Sequence, residues 1–169
     1  MALRSSSAAR QLVQMLGGRL GTATVLFHAA VADEMGVRVT DARGCSILHR
    51  FGSQTAGELA QRLGLTTGAV TGVIDRLERA QLVRRVADPG DRRRVVVELV
   101  RDPAREQQMA QLMGPMGERM GALIASYTAK EQALLTAFLT RACDILEEET
   151  ARVRAMPHGE SGGSADQPR

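Results

Sequence analysis

The sequence has very few aromatic residues and few side chains that bind metals. Aromatics make up 2% of the 169 residues and tryptophan is absent, so the core must consist of Leu, Val, Ala and Met. The three histidines, His28, His49 and His158, show no i, i+4 pairing, so we expect neither a metal site nor a cofactor. The sequence also lacks a nucleophile–base pairing and a phosphate loop. These absences argue against an enzyme.

Long apolar runs are absent too. The best candidate, residues 20–32, is interrupted and too short to cross a membrane. No acidic residue precedes Asp33, a feature shared with organellar transit peptides. The helical spacing of the apolar residues in this stretch favours a helix of the folded domain over a transit peptide. We therefore predict a first helix over residues 8–34, weakened or bent by Gly17, Gly18 and Gly21. We also predict a cytoplasmic protein. The apolar positions with this spacing are Leu12, Leu16, Leu20, Ala23, Phe27 and Ala30.

Positive charge is concentrated in the middle of the chain. Residues 40–101 contain 11 Arg against 7 acidic residues, a net of +4. Residues 102–169 contain 7 basic against 10 acidic residues, a net of −3. A basic segment of this kind is the electrostatic signature expected of a module that contacts nucleic-acid phosphates.

Two short helical patterns lie within the basic segment, on either side of a tight turn. Thr55 and Glu58 form a capping box that begins the first helix, and Gly64 supplies the left-handed residue that ends it. Thr66 caps the second helix. One face of that helix is apolar, at Val70, Val73, Ile74 and Leu77. Its outward face is small and polar, which suits close approach to base edges, although an ordinary surface helix would look similar.

A predicted hairpin follows the second helix. Residues 83–87 pair with residues 94–100 around the turn Asp88-Pro89-Gly90-Asp91. Arg92, Arg93 and Arg94 crowd its tip. They could be a solvated charge run, but their place after two helices predicts a wing whose cations meet phosphate.

The flanking segments are predicted to be helical. Thr40 is expected to cap a helix over residues 41–51, with Cys45, Leu48 and Phe51 on its inner side and Gly52 at its end. A helix from residue 104 to Tyr127 starts after Asp102-Pro103. Its Met stripe (Met109, Met113, Met116 and Met120) fits core or dimer packing first, and a pliable ligand pocket second.

The last helix begins at a second capping box, Thr128 with Glu131. Its apolar face is too broad for a monomer's surface, which predicts a homodimer joined through the terminal helices. That face contains Leu134, Leu135, Phe138, Leu139, Ala142, Ile145 and Leu146. The polar, Gly- and Ser-rich residues 157–169 are expected to be disordered.

The central segment resembles the MarR (multiple antibiotic resistance regulator) family of bacterial transcription factors. The resemblance lies in ELAQRLGLTTGAVTGVIDRLERA, then LVRR, then DPGDRR. Two departures are visible. Gln81 occupies a position where the family usually has glycine, so the end of the recognition helix should be strained or differently capped. Gly72 replaces a residue that is commonly larger and polar, which leaves few side chains to read bases.

The resemblance implies a mainly α fold with a small β-hairpin wing, which is a winged helix-turn-helix with N- and C-terminal dimerisation helices. The corresponding segments are residues 1–39 and 102–156 for dimerisation and 40–101 for DNA binding. The expected activity is that of a dimeric repressor on an inverted repeat of double-stranded DNA. The predicted DNA-binding residues are Thr55, Thr66, Thr67, Gly68, Ala69, Thr71, Gly72, Arg76, Asp91, Arg92, Arg93 and Arg94.

The resemblance also implies a small, often aromatic and anionic, effector that releases the DNA. Candidate partners for it are His28, Arg43, Arg50 and Met113. Cys45 and Cys143 could sense oxidation, but their apolar neighbours favour buried, inert thiols. A constitutive or architectural DNA binder without an effector, and an enzyme or scaffold reusing the fold, are the alternatives.

Overall fold

A computed structural model describes residues 6–91 and 93–156. In chain order the elements are α1 (Ser7–Gln14), a π-helical segment (Met15–Leu20), α2 (Gly21–Glu34), α3 (Val39–Phe51), β1 (Gln54–Thr55), α4 (Ala56–Leu63), α5 (Thr67–Arg79), β2 (Val83–Ala87), β3 (Val95–Leu99), α6 (Pro103–Ala125) and α7 (Ala129–Arg154). The chain divides into two units, residues 1–118 and 119–169, with the division inside α6.

The predicted first helix is present and includes a local irregularity. α1, the π-helical segment and α2 follow one another without a break from Ser7 to Glu34. The π-helical turns contain Gly17 and Gly18, the residues expected to weaken the helix. π-helical turns are rare and occur mostly as short insertions within α-helices, as here.

The predicted start of α3 is wrong. The helix begins at Val39, and its N-cap residue is Arg38, which makes no side-chain capping bond. Thr40 therefore lies inside the first turn instead of capping it. Gly52, with φ of +74°, ends the helix as predicted. The first hydrogen bond of the helix runs from the Ala42 N–H to the Arg38 carbonyl at 2.9 Å, which places the start two residues before the predicted one.

The predicted inner face of α3 is only partly correct. Leu48 is buried and Cys45 is half-buried against the core, but Phe51 is 44% exposed. The residues that α3 buries are Asp41, Gly44 and Leu48. A Cβ on Gly44 would lie 3.4 Å from Leu77 Cδ1, about van der Waals contact, so Gly44 faces α5.

The helix-turn-helix forms as the sequence patterns indicate. The Thr55–Glu58 capping box is complete, Gly64 adopts the left-handed conformation at φ of 72°, and Thr66 accepts a hydrogen bond from the backbone N–H of Ala69. The apolar faces of α4 and α5 meet in one core with the start of β2 and the middle of β3. Its buried members are Leu48, Leu59, Ala60, Leu63, Val70, Val73, Ile74, Leu77, Val83 and Val97.

The hairpin is part of a three-stranded antiparallel sheet of order β1-β3-β2. Val83 pairs with Leu99 and Ala87 with Val95, so β3 is one residue shorter at each end than the predicted 94–100. The short strand β1, which pairs Gln54 with Val97, was not predicted. Two residues are too few to show the alternation that identifies a strand.

The helices after the sheet follow the predicted order. The carboxylate of Asp102 accepts a hydrogen bond from the N–H of Ala104 at the start of α6. α6 continues through Pro115 and ends at Ala125, two residues before the predicted end at Tyr127. The predicted Thr128–Glu131 capping box begins α7. Within the described residues, none of the helices is both long and apolar enough to span a membrane.

The apolar face of α7 is exposed in the single chain, with Leu134 at 70% and Leu146 at 61% exposure. Large apolar side chains are also exposed along the first helical stretch, as at Val13 and Val25. The tail predicted to be disordered, residues 157–169, lies outside the described residues.

Candidate nucleic-acid interface

The N-terminal half of α5 presents a smooth, exposed surface. Thr67, Gly68, Ala69 and Thr71 are all exposed, and Gly72 is half-exposed. The hydroxyl of Thr71 donates to the carbonyl of Thr67 at 2.9 Å, so this hydroxyl retains only its acceptor capacity for other partners. Small side chains permit close approach to a groove but provide few hydrogen bonds.

Arg76, one turn further along α5, forms a bidentate ion pair with Asp41 of α3. Arg76 Nε lies 2.9 Å from Asp41 Oδ2, and Nη2 lies 2.6 Å from Oδ1. The Asp41 side chain is only 6% exposed, while that of Arg76 is 29% exposed. The hydrogen bond to Asp41 raises the pKa of the Arg76 guanidinium. Two of the five N–H donors of Arg76 are therefore already used within the protein.

A second set of ion pairs joins α5 to the wing. Arg85 of β2 donates from Nη2 to Asp75 at 2.7 Å and from Nη1 to Glu78. The backbone N–H of Arg85 also donates to Glu78, at 3.0 Å. These residues were not among the predicted site residues. The sequence contained a signal for these ion pairs, namely two acidic residues three positions apart on the predicted helix and an arginine on the strand that follows it.

The tip of the hairpin is held by its two aspartates. Asp88 accepts a hydrogen bond from the Gly90 N–H at 2.8 Å, and Asp91 accepts one from the Arg93 N–H at 3.0 Å. Asp91 therefore orients the backbone of Arg93, whose exposed side chain forms no ion pair with any described residue. Arg92, also a predicted contact, lies outside the described residues. The wing presents Arg93 as an available cation.

The start of α4 lies next to the wing. The pKa of Glu58 is lowered because its carboxylate accepts hydrogen bonds from the backbone N–H and the hydroxyl of Thr55. Arg94 approaches the same carboxylate, with its Nη2 3.6 Å from Glu58 Oε1. Two of the predicted DNA contacts, Thr55 and Arg94, therefore also support the local structure.

A cavity of about 420 Å³ is lined by residues of α2, α3 and α6. Of the four predicted effector contacts, His28, Arg43 and Met113 line it. Arg50, the fourth candidate, does not line the cavity, and its guanidinium lies over the Phe51 ring, 5.1 Å from the centroid. The other lining residues are mostly apolar, and they are Val31, Ala32, Met35, Val37, Val39, Ala42, Cys45, Ser46, His49, Leu82, Leu99 and Met109.

The polar groups of the cavity wall are few. His28 Nδ1 lies 2.8 Å from the carbonyl oxygen of Thr24; because a carbonyl only accepts, this nitrogen bears the proton. Burial raises the pKa of the Cys45 thiol to about 11. Cys143 is exposed in the single chain, where its expected burial is therefore not seen. Among the described residues, no group of three or more side chains is arranged to hold a metal ion.

Comparisons with known proteins find one matching family model and relatives described as transcriptional regulators. A family model described as the MarR family matches residues 41–95. The uncharacterized HTH-type transcriptional regulator YcgE of Bacillus subtilis (strain 168) is 42% identical over 150 residues, which cover 89% of this chain and 96% of that protein. YsmB of the same organism, of the same description, is 33% identical over 91 residues, which cover 54% of this chain and 61% of that protein.

Several solved protein structures share the fold of this chain. A MarR family protein from Bacillus stearothermophilus superposes with a TM-score of 0.63 at 18% identity, covering 87% of this chain and 99% of its own. RV1404 from Mycobacterium tuberculosis gives a TM-score of 0.58 at 19% identity, with 83% and 95% coverage. Apo MarR from E. coli gives 0.52 at 22% identity, with 78% and 94% coverage. At these identities the similarity shows the fold only.

Proposed function

The chain belongs to the MarR family, and from this premise we propose that it is a dimeric, DNA-binding transcriptional repressor released by a small-molecule effector. The observation that supports this most directly is the pairing of two features within residues 41–95, the segment that matches the family. One is a capped helix with a small, exposed outward face. The other is a hairpin whose tip presents the exposed Arg93, which forms no ion pair with any described residue.

The proposed DNA interface has two parts. The start of α5 enters the major groove, where Thr67 contacts base edges or phosphates and Thr71 offers its hydroxyl oxygen as an acceptor and its methyl group to thymine. The wing lies at the minor groove, with Arg93 in it and Arg92 or Arg94 at phosphates. The proposed contacts are Thr55, Thr66, Thr67, Gly68, Ala69, Thr71, Gly72, Asp91, Arg92, Arg93 and Arg94. Because so few of these can form hydrogen bonds to bases, DNA shape should supply much of the selectivity.

The proposed dimer is joined through residues 1–39 and 102–156, which flank the DNA-binding segment 40–101. It is supported by the large apolar side chains exposed on α2 and α7 of the single chain, such as Leu26 at 64% and Leu134 at 70%. A dimer is also needed physically, since one recognition helix contacts too few base pairs to be selective. Two helices in successive major grooves require half-sites about one helical turn apart.

The proposed effector occupies the 420 Å³ cavity, whose volume lies in the range of small-molecule sites. The largely apolar wall favours a hydrophobic body, and Arg43 offers a cation to an acidic group. A constitutive binder without an effector would share the DNA interface but not the response to ligands.

Selection from random DNA with the purified full chain tests the DNA-binding proposal. We expect enrichment of an inverted repeat with a few strongly preferred positions and A·T preference beneath the wings. Footprinting upstream of the protein's own reading frame, with and without candidate aromatic acids, then tests release. The absence of any enriched sequence would contradict DNA recognition, whereas a footprint insensitive to every ligand would favour the constitutive alternative.

A further inference from the structure

Helix α3 separates the cavity from the recognition helix α5. One side of α3 contributes to the cavity wall, through Val39, Ala42, Arg43, Cys45, Ser46 and His49. The other side is buried and contains Asp41, Gly44 and Leu48. A Cβ on Gly44 would meet Leu77 Cδ1 at 3.4 Å and Val73 Cγ1 at 3.7 Å, and both of these residues belong to α5. Leu48, on the same buried side of α3, shares one core with Val73 and Leu77 of α5, so a displacement of α3 on its cavity side disturbs the packing of α5.

The polar connection between these two helices is the Asp41–Arg76 ion pair. Its two hydrogen bonds, at 2.9 and 2.6 Å, fix the guanidinium in both position and plane. Asp41 is 4% exposed, so its carboxylate depends on Arg76 for its charged partner. The guanidinium also lies close to the preceding turn of α5, since a Cβ on Gly72 would be 3.6 Å from Arg76 Nη1. Arg76 thus couples α3 to the part of α5 that faces outward.

We propose that the Asp41–Arg76 pair positions the recognition helix and that α3 relays the state of the cavity to it through this pair. Arg76 then acts as a positioning residue, and its effect on DNA recognition passes through Asp41 instead of through a direct base or phosphate contact. This inference rests on the proposed function, since it specifies how the cavity regulates the DNA interface.

A double-mutant cycle separates this role from direct DNA contact. Asp41→Asn keeps Arg76 but removes the charge that holds it, Arg76→Gln removes the cation, and the double variant restores a neutral amide pair. Each is assayed for binding to the selected operator and to a random duplex over a salt series. We expect each single variant to lose roughly tenfold in the ratio of operator to random affinity, the double variant to lose no more, and the salt slope to stay unchanged.

Direct phosphate contact predicts a different pattern. Arg76→Gln would then lower the salt slope by about one per half-site, and Asp41→Asn would leave or strengthen binding because it frees the guanidinium. That result, or selectivity unchanged in Asp41→Asn, overturns the positioning role. Thermal unfolding identifies any variant that fails to fold. If Arg76→Gln fails to fold, the double variant still tests the proposal, because it leaves no unpaired charge in the buried site. Glu106→Gln, which removes an exposed carboxylate of α6, is the matched control.

A cavity-filling substitution tests the relay without a known ligand. Ala42→Leu adds bulk to the cavity side of α3. We expect it to lower operator selectivity in the wild-type background and to have no further effect in the Asp41→Asn/Arg76→Gln background. An equal loss in both backgrounds, or no loss in the wild type, overturns the relay. If the wild type selects no DNA sequence at all, the proposed function itself fails, which is a distinct outcome.

Discussion

The end of the recognition helix offers a direct test of backbone strain. Among the described residues, Gln81 is the one residue other than glycine with positive φ, at 55°. It occupies the left-handed position of a Schellman motif, in which its N–H donates to the Glu78 carbonyl at 2.8 Å and the Leu82 N–H donates to the Leu77 carbonyl at 2.9 Å. The same motif ends α2 at Gly36 and α4 at Gly64, so two other helices place glycine where α5 has glutamine.

We expect Gln81→Gly to stabilise the protein by about 0.5–1 kcal/mol. A side chain in the left-handed region costs roughly 1–2 kcal/mol, and glycine offsets about 0.5–1 kcal/mol of this gain through its larger unfolded-state entropy. The Gln81 side chain is exposed and forms no hydrogen bond within the described part of the chain, so its loss should cost little. Urea unfolding at a fixed protomer concentration measures the change as a raised midpoint at constant m-value.

Ala80 provides a matched control one residue earlier. Its φ is −80°, which any residue adopts, so glycine there relieves no strain. Ala80→Gly should therefore destabilise by about 0.5–1 kcal/mol. Gln81→Ala retains a Cβ and should leave stability nearly unchanged. If Gln81→Gly destabilised the protein as much as Ala80→Gly does, the left-handed position would not be strained and the reasoning would fail.

Three further predictions concern the wing, the Cys45 thiol and the last helix. Arg93→Ala should cost on the order of 1–3 kcal/mol of DNA affinity in each half-site and lower the salt slope; unchanged affinity and slope in a binding titration would exclude the wing contact. Cys45 should react slowly with a maleimide at neutral pH, because burial raises its pKa to about 11 and leaves little thiolate; mass spectrometry that showed Cys45 labelled as fast in the folded protein as in the urea-unfolded chain would contradict this. Thr128→Ala should destabilise by about 1 kcal/mol at neutral pH. The pKa of Glu131 is lowered by the hydrogen bonds that its carboxylate accepts from Thr128, so the part of the penalty that depends on this carboxylate is present above the ordinary pKa of 4.5 and is lost as the pH falls through the lowered value, whereas the bond from the Glu131 N–H to Thr128 does not titrate; a penalty that persisted unchanged at lower pH would contradict this.

Local signals determined most of the secondary structure. Thr55 and Glu58 are three residues apart, and so are Thr128 and Glu131, so each capping box is complete within one turn and needs no distant partner. The left-handed end at Gly64 is equally local. The apolar spacing of α5 correctly identified the buried face because a helix can present only one side to a core.

The tertiary structure decided which polar side chains are engaged in ion pairs within the protein and which remain available to contact DNA. Asp41 and Arg76 are 35 positions apart in the chain, and only the packing of α3 on α5 brings them together. This packing converts a predicted DNA contact into a paired group. The same applies to Arg85, whose guanidinium is drawn to Asp75 and Glu78 once β2 folds back along α5.

The start of α3 and the set of residues that line the cavity also depended on the tertiary structure. Thr40 has the chemistry of a cap, but it lies within α3, whose first hydrogen bond already joins the Ala42 N–H to the Arg38 carbonyl. Arg50 has the chemistry of an anion site, but its position on α3 directs it to the Phe51 ring and not into the cavity. Residue chemistry and short-range spacing are properties of the sequence. Which groups meet across tens of residues is set by helix packing, because that packing alone determines their separation in space.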